Sequence, residues 1–276
     1  MLPETSTGFQ LSSNKIDDLS LEAGHFTAFN NRNLTNSDDM LLTTFGGTEE
    51  DSVDFIGGTY KISEKLSVKA YTSKAVNVWR QHFGSASYTI PLTDQQSLSF
   101  GLTAYKTQDQ GEARAGKLDT TSWSAKVAYS FDAHKFTLAY QKIAGDEYFD
   151  YIGVDSVWLA NSIQYSDFNA PNERSIQARY DLNLATFGIP GLSFMAPYVK
   201  GDQIDGTKAH PNGAYVNKVG DDQKEWERDL EAKYVIQEGT AKDLSFRLRQ
   251  AIHRATSFES DIDEVRLIIE YLLSIL

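Results

Sequence analysis

KDLSFRLRQAIH (residues 242–253) and EVRLIIEYLLSIL (residues 264–276) decide the fold, because both repeat with a period of two. In the first, Leu244, Phe246, Leu248 and Ile252 fall on one parity, and Ser245, Arg247, Arg249, Ala251 and His253 on the other. In the second, Val265, Leu267, Ile269, Tyr271, Leu273 and Ile275 share a face, with Arg266, Ile268, Glu270 and Ser274 behind them. Successive side chains of a strand point to opposite sides, so one face here is apolar and the other carries arginines. A closed barrel in a membrane needs that division, with hydrocarbon outside and a wet lumen within.

Working outward, the same alternation runs through Leu19 to Phe29, Met40 to Gly47, Ser52 to Ile62, Leu66 to Ala70, Ser87 to Leu92 and Ser97 to Thr107. It continues in Thr120 to Phe131, Phe136 to Tyr140, Arg174 to Thr186, Leu192 to Lys200 and Trp226 to Gln237. Residues 1 to 15 are polar and read as loop. The pattern predicts about twelve strands, with short turns such as Ser63-Glu64-Lys65 at one end and long polar loops at the other. The longest loop, Gly145 to Glu173, is rich in aromatic residues, which argues for a functional rather than a disordered segment. The expected fold is all-β, an antiparallel transmembrane β-barrel forming one domain over residues 1–276. A soluble all-β binding protein is the rival, since a sandwich shares the alternation.

Composition agrees with either reading and removes others. The 276 residues are 41% hydrophobic, with a mean hydropathy of −0.41 and no apolar run of about 18 residues, so spanning helices are excluded. Spanning strands escape such a test because only every second residue meets lipid. Cysteine is absent, which removes disulfides, thiolate metal sites and cysteine nucleophiles. A net charge of −12 disfavours nucleic acid as a partner. No metal-ligand spacing or phosphate-cradling glycine loop is present, and no cofactor is expected. Met1-Leu2-Pro3-Glu4 contains no export signal, so the chain is expected either to be soluble or to lack its beginning.

The stretches Gly8-Phe-Gln-Leu, Leu21-Glu-Ala-Gly-His-Phe, Phe136-Thr-Leu-Ala-Tyr-Gln-Lys, Phe149-Asp-Tyr-Ile-Gly, Leu159-Ala-Asn-Ser-Ile-Gln-Tyr-Ser-Asp-Phe and Ala178-Arg-Tyr-Asp-Leu-Asn-Leu, with both closing segments, resemble the porin D (OprD) family of substrate-specific outer-membrane channels. The resemblance implies an outer-membrane location and a barrel of about eighteen strands in complete members, of which about twelve would be present here. This chain would then be the C-terminal portion of one porin, truncated and non-functional unless it closes as a smaller barrel. It also implies passive diffusion of basic amino acids, small peptides or other small carboxylates, with carbapenem antibiotics as passengers, and a monomer or weak trimer in outer-membrane lipid.

By the same resemblance, Arg247, Arg249 and Arg266 match a basic ladder along which substrate carboxylates slide, each guanidinium offering a bidentate anion site. Tyr151, Asp155, Ser156 and Asp167 match an acidic pocket facing that ladder, with Phe45 standing where a pocket tyrosine is expected. Pro197 occupies the position of a lumen arginine. Members have been called serine proteases, and His25 and Ser156 would be the matching positions. The third is Asn77 rather than an aspartate, and without a carboxylate the histidine tautomer is not fixed, so no enzyme is expected.

Overall fold

The computed structural model describes residues 4–30, 40–153 and 157–271. Its strands are β1 (Thr5–Ile16), β2 (Leu19–Asn30), β3 (Leu41–Leu42), β4 (Glu49–Glu50), β5 (Val53–Ser63), β6 (Leu66–Ala75), β7 (Trp79–Thr93) and β8 (Gln96–Asp109). They continue with β9 (Asp119–Phe131), β10 (His134–Ala144), β11 (Arg174–Asn183), β12 (Leu192–Ile204), β13 (Gln223–Val235), β14 (Ser245–Ala255) and β15 (Ile262–Glu270). Thirteen of them form one antiparallel meander in chain order, and β3 with β4 make a separate small hairpin.

The burial pattern is inverted relative to a soluble sheet. Ser122, Ser124, Gln141, Glu227 and Asp229 are buried on the inner face, while Leu102, Leu138, Leu248, Leu267 and Ile269 are each more than half exposed on the outer one. Water would penalise that arrangement, and hydrocarbon rewards it. The inner face is concave. Seven strand spacings separate β7 from β14, roughly 34 Å if the sheet were flat. Yet the single loop 145–173 reaches both, through Gln81 Nε2 donating to the Asp150 carbonyl at 2.8 Å and through the Tyr165 ring 4.8 Å from that of His253.

Four expectations are corrected. Thr5–Ile16, expected as loop, is a strand, because its few apolar residues keep the outward parity: Phe9 lies opposite His25 and Leu11 opposite Ala23. Met40 to Gly47, expected as a barrel strand, pairs through Leu41 and Leu42 with Glu50 and Glu49 and through a single bridge from Thr43 to Ile152 of the inward loop, folding back at Gly47, which has a φ of +64°. The meander therefore has thirteen strands rather than about twelve. Nor does it close: β1 and β15 each have one neighbour, so the wall has two free edges among the described residues.

The two ends of the wall differ. At one end, tight turns use left-handed residues such as Asp18 (φ 61°) and Asp132 (φ 47°), or the Ser63 hydroxyl, which accepts from the Lys65 and Leu66 amides. At the other, the long loops pack into a cap whose core includes Val78, Trp79, Leu118, Tyr148, Ile204 and Tyr215. A seam crosses the wall at β12. The pairing of β12 with β13 runs to Met195 opposite Glu231 and resumes at Tyr198 opposite Arg228, skipping Pro197, which has no N–H to donate.

Candidate functional site

Loop 145–173 folds inward because polar groups of the wall and cap satisfy its backbone, as buried peptide groups require. Gln141 Nε2 donates to the carbonyls of Asp167 and Phe168 at 2.8 and 2.9 Å, and its Oε1 accepts from the Asn161 amide at 2.9 Å. Glu227 accepts from the amides of Tyr165 and Ser166 at 2.8 and 2.7 Å. Asp150 is the largest convergence: it accepts from the amides of Phe45, Gly46 and Tyr151 at 3.0, 2.7 and 2.7 Å and from the Tyr215 hydroxyl at 2.9 Å. Burial pushes its carboxyl above the usual range, and these four donors hold it down.

Of the expected pocket residues, Tyr151 and Asp167 come together. The Tyr151 hydroxyl donates to Asp167 Oδ2 at 2.5 Å, and the Ser162 hydroxyl donates to Oδ1. Burial raises the Asp167 carboxyl, opposed by both hydroxyls. Asp155 and Ser156 lie outside the described residues. Phe45 stacks on Tyr148 at 4.7 Å and meets Tyr151 edge-on at 5.9 Å.

The three arginines lie on the inner face of β14 and β15, with Arg249 directly opposite Arg266. Each has a carboxylate from the wall. Glu231 of β13 lies 2.5 Å from Arg249 Nη2 and 3.7 Å from Arg247 Nε. Glu270 stands 3.5 Å from Arg247 Nη2, and Glu264 2.5 Å from Arg266 Nε. Glu264 also accepts from Gln164 Nε2 at 2.6 Å, which ties the inward loop to the arginine wall.

Lys69 and Lys126 were missed by the sequence reading. They line a cavity of about 310 Å³ with Thr103, Ser124 and Trp158, and Lys69 Nζ sits 4.8 Å above the Trp158 ring, a cation–π distance. Their parity carried the signal, since Lys69 shares a face with Ser67 and Tyr71, and Lys126 with Ser124. His25, by contrast, sits with Leu21 and Ala23 on the outer face of β2 and bonds to Asp54 at 2.6 Å. Asn77 donates to Asp51 at 2.8 Å. Neither is arranged as a catalytic group.

The profile of the outer membrane porin, OprD family, matches residues 1–275. The chain belongs to the OprD family. It is 51% identical to Porin D of Pseudomonas aeruginosa, an alignment that takes in 100% of this chain and 65% of Porin D. To the porin-like protein GalP of Pseudomonas putida it is 31% identical, over 100% of this chain and 64% of GalP. It superposes on the crystal structure of P. aeruginosa OprD with a TM-score of 0.93, covering 100% of this chain and 72% of that one. On P. aeruginosa OccD3 (OpdP), 37% identical, the TM-score is 0.92, covering 97% of this chain and 68% of that one. This OprD-family chain thus spans a little under two thirds of the length of Porin D and GalP. OprD-family porins are outer-membrane proteins and channels rather than enzymes, which accounts for the apolar outer face.

Proposed function

We propose that this chain forms the C-terminal part of the wall of a passive, substrate-specific diffusion channel for small carboxylate-bearing solutes. Basic amino acids and short peptides come first, and carbapenem antibiotics follow by family analogy. The observation that carries the reading is the row of Arg247, Arg249 and Arg266 on the lumen face, with the bonded pair Tyr151 and Asp167 on the inward loop. Guanidinium groups at successive heights offer a passing carboxylate one bidentate site after another, so that release from one is offset by capture at the next. Asp167, with Asp155 and Ser156 on the same loop, would hold the cationic end of such a solute. Lys69 and Lys126 extend the basic surface along the wall.

The test is reconstitution of the chain in planar bilayers, joined to the N-terminal strands of Porin D so that the wall is complete, with L-arginine, L-glutamate and glucose as solutes. Arginine should interrupt the current and cross fastest, and Arg249→Gln should weaken that effect. Absence of conductance above the bare bilayer, or equal passage of all three solutes, overturns the proposal.

A further inference from the structure

At the long-loop end of the wall, residues far apart in sequence converge on one buried imidazole. His253 on β14 is fully buried, and its Nδ1 lies 3.1 Å from the Ser260 carbonyl. A carbonyl only accepts, so Nδ1 carries the hydrogen. Nε2 then faces two carboxylates, Glu225 Oε2 at 2.7 Å and Glu259 Oε2 at 3.9 Å. One ligand atom from each of the three residues lies within 4.8 Å of the others. The Tyr165 ring packs against the imidazole and fixes its plane.

A second observation points into the same place. Glu173 is fully buried and its carboxyl lies against that of Glu225. Its Oε2 accepts from the Ala170 amide at 3.0 Å, but Oε1 has no hydrogen-bond partner. Gly201 makes the room, since a Cβ there would stand 1.9 Å from that oxygen. Two carboxyl groups thus face one imidazole with a third behind Glu225, and among the described residues no lysine or arginine comes within ion-pair distance of any of them. Buried carboxylates in such excess are costly unless a proton or a cation compensates each.

We propose that His253, Glu225 and Glu259, backed by Glu173, bind one divalent transition-metal ion of the Zn²⁺ class, which fastens loops 145–173 and 256–261 to the wall. The donor set selects the ion: an imidazole nitrogen suits Zn²⁺ and its first-row neighbours, whereas Ca²⁺ and Mg²⁺ take oxygen. Tetrahedral ligands at bonds of about 2.0–2.1 Å stand about 3.3 Å apart, a value bracketed by the 2.7 and 3.9 Å separations seen here. The Nδ1–H bond to a backbone carbonyl is the outer-shell contact that orients a ligating histidine. Sequence spacing could not reveal the site, because its members come from four separate segments.

The experiment is a Co²⁺ titration of the untagged chain in detergent after EDTA treatment, with native β-structure confirmed by far-ultraviolet circular dichroism. One equivalent of Co²⁺ should bind with visible ligand-field bands and be displaced by Zn²⁺ but not by Ca²⁺. His253→Gln and Glu173→Gln should each weaken binding by about 10–100-fold. Gly201→Ala should weaken it without touching a ligand, and Glu64→Gln, in an exposed turn, should leave it unchanged. A folded chain that binds no Co²⁺, that binds it equally well after Glu173→Gln and Gly201→Ala, or that releases it to Ca²⁺ overturns the proposal.

Discussion

Arg249 and Arg266 face each other directly across the β14–β15 ladder, two like charges at a position where such pairs are destabilising. Each is held by its own carboxylate, Arg249 by Glu231 and Arg266 by Glu264, at 2.5 Å in both cases. The wall therefore keeps positive charge concentrated at one height while neutralising enough of it for the strands to pair.

Glu231 serves both Arg249 and Arg247, so Glu231→Gln should release Arg249 toward the lumen and leave Arg247 held by Glu270 alone. The lost pairing costs about 1–3 kcal/mol of stability. The reversal potential in a salt gradient should move toward the anion value. An unchanged potential would mean that these arginines do not face the conducting path.

Asp167 supplies the loop's negative charge beside Tyr151. Asp167→Asn should reduce arginine passage relative to a neutral amino acid by about tenfold, equivalent to ~1.4 kcal/mol. Tyr151→Phe, which keeps the charge, should change it much less. Comparable losses in both variants would show that shape rather than charge governs the step.

Asp150→Ala leaves three amides and the Tyr215 hydroxyl without their acceptor, at about 1–3 kcal/mol for each donor that stays buried. The loop should loosen as a unit. Hydrogen exchange at Phe45, Gly46 and Tyr151 should accelerate together, while β8 and β9 keep their protection. Exchange confined to one of these amides would contradict a common anchor.

Glu50, on the small hairpin, has no hydrogen-bond partner for either carboxylate oxygen. Burial, then the charges of Asp150 and Glu49, push its carboxyl up to about 8. A folded-state value above the unfolded one means that the folded state binds the proton more tightly. Its stabilising contribution is then full below about pH 4.5 and is lost as pH rises through about 8. Exchange of the hairpin amides should quicken between pH 5 and 9, after correction for the intrinsic rate, and Glu50→Gln should flatten that slope.

The outer face predicts an asymmetry between neighbours. Leu102→Arg places a charge in hydrocarbon and should cost about 2–4 kcal/mol near the bilayer midplane, read as a shift in denaturant-induced unfolding from liposomes. Thr103→Arg, one residue on and inside the cavity, should leave stability nearly unchanged and narrow the path. Equal costs would place water on both sides of β8.

Where alternation was strong, as in β8, β14 and β15, strand and facing were both legible, because a period of two ties each apolar residue to one side. β1 was not, since only Phe9, Leu11 and Ile16 break a polar run and its identity as a strand comes from pairing with β2. Met40 to Gly47 misled for the opposite reason: its apolar start belongs to a hairpin that folds back at Gly47. The lumen parity of Arg247, Arg249 and Arg266 could be read from alternation, but their partner Glu231 lies on another strand whose register the sequence does not fix. Lys69 and Lys126 are readable by the same rule, since each shares a parity with polar neighbours.

The missing rungs beside Pro197 also have a mechanical meaning. Asp229 lies in the gap between the surviving pairs and keeps a buried carboxylate oxygen without a donor. Strands β13 to β15, which carry the arginines and their counter-ions, lie beyond that line, so the charged panel is joined to the rest of the wall through a ladder that lacks two rungs at the height of the proline.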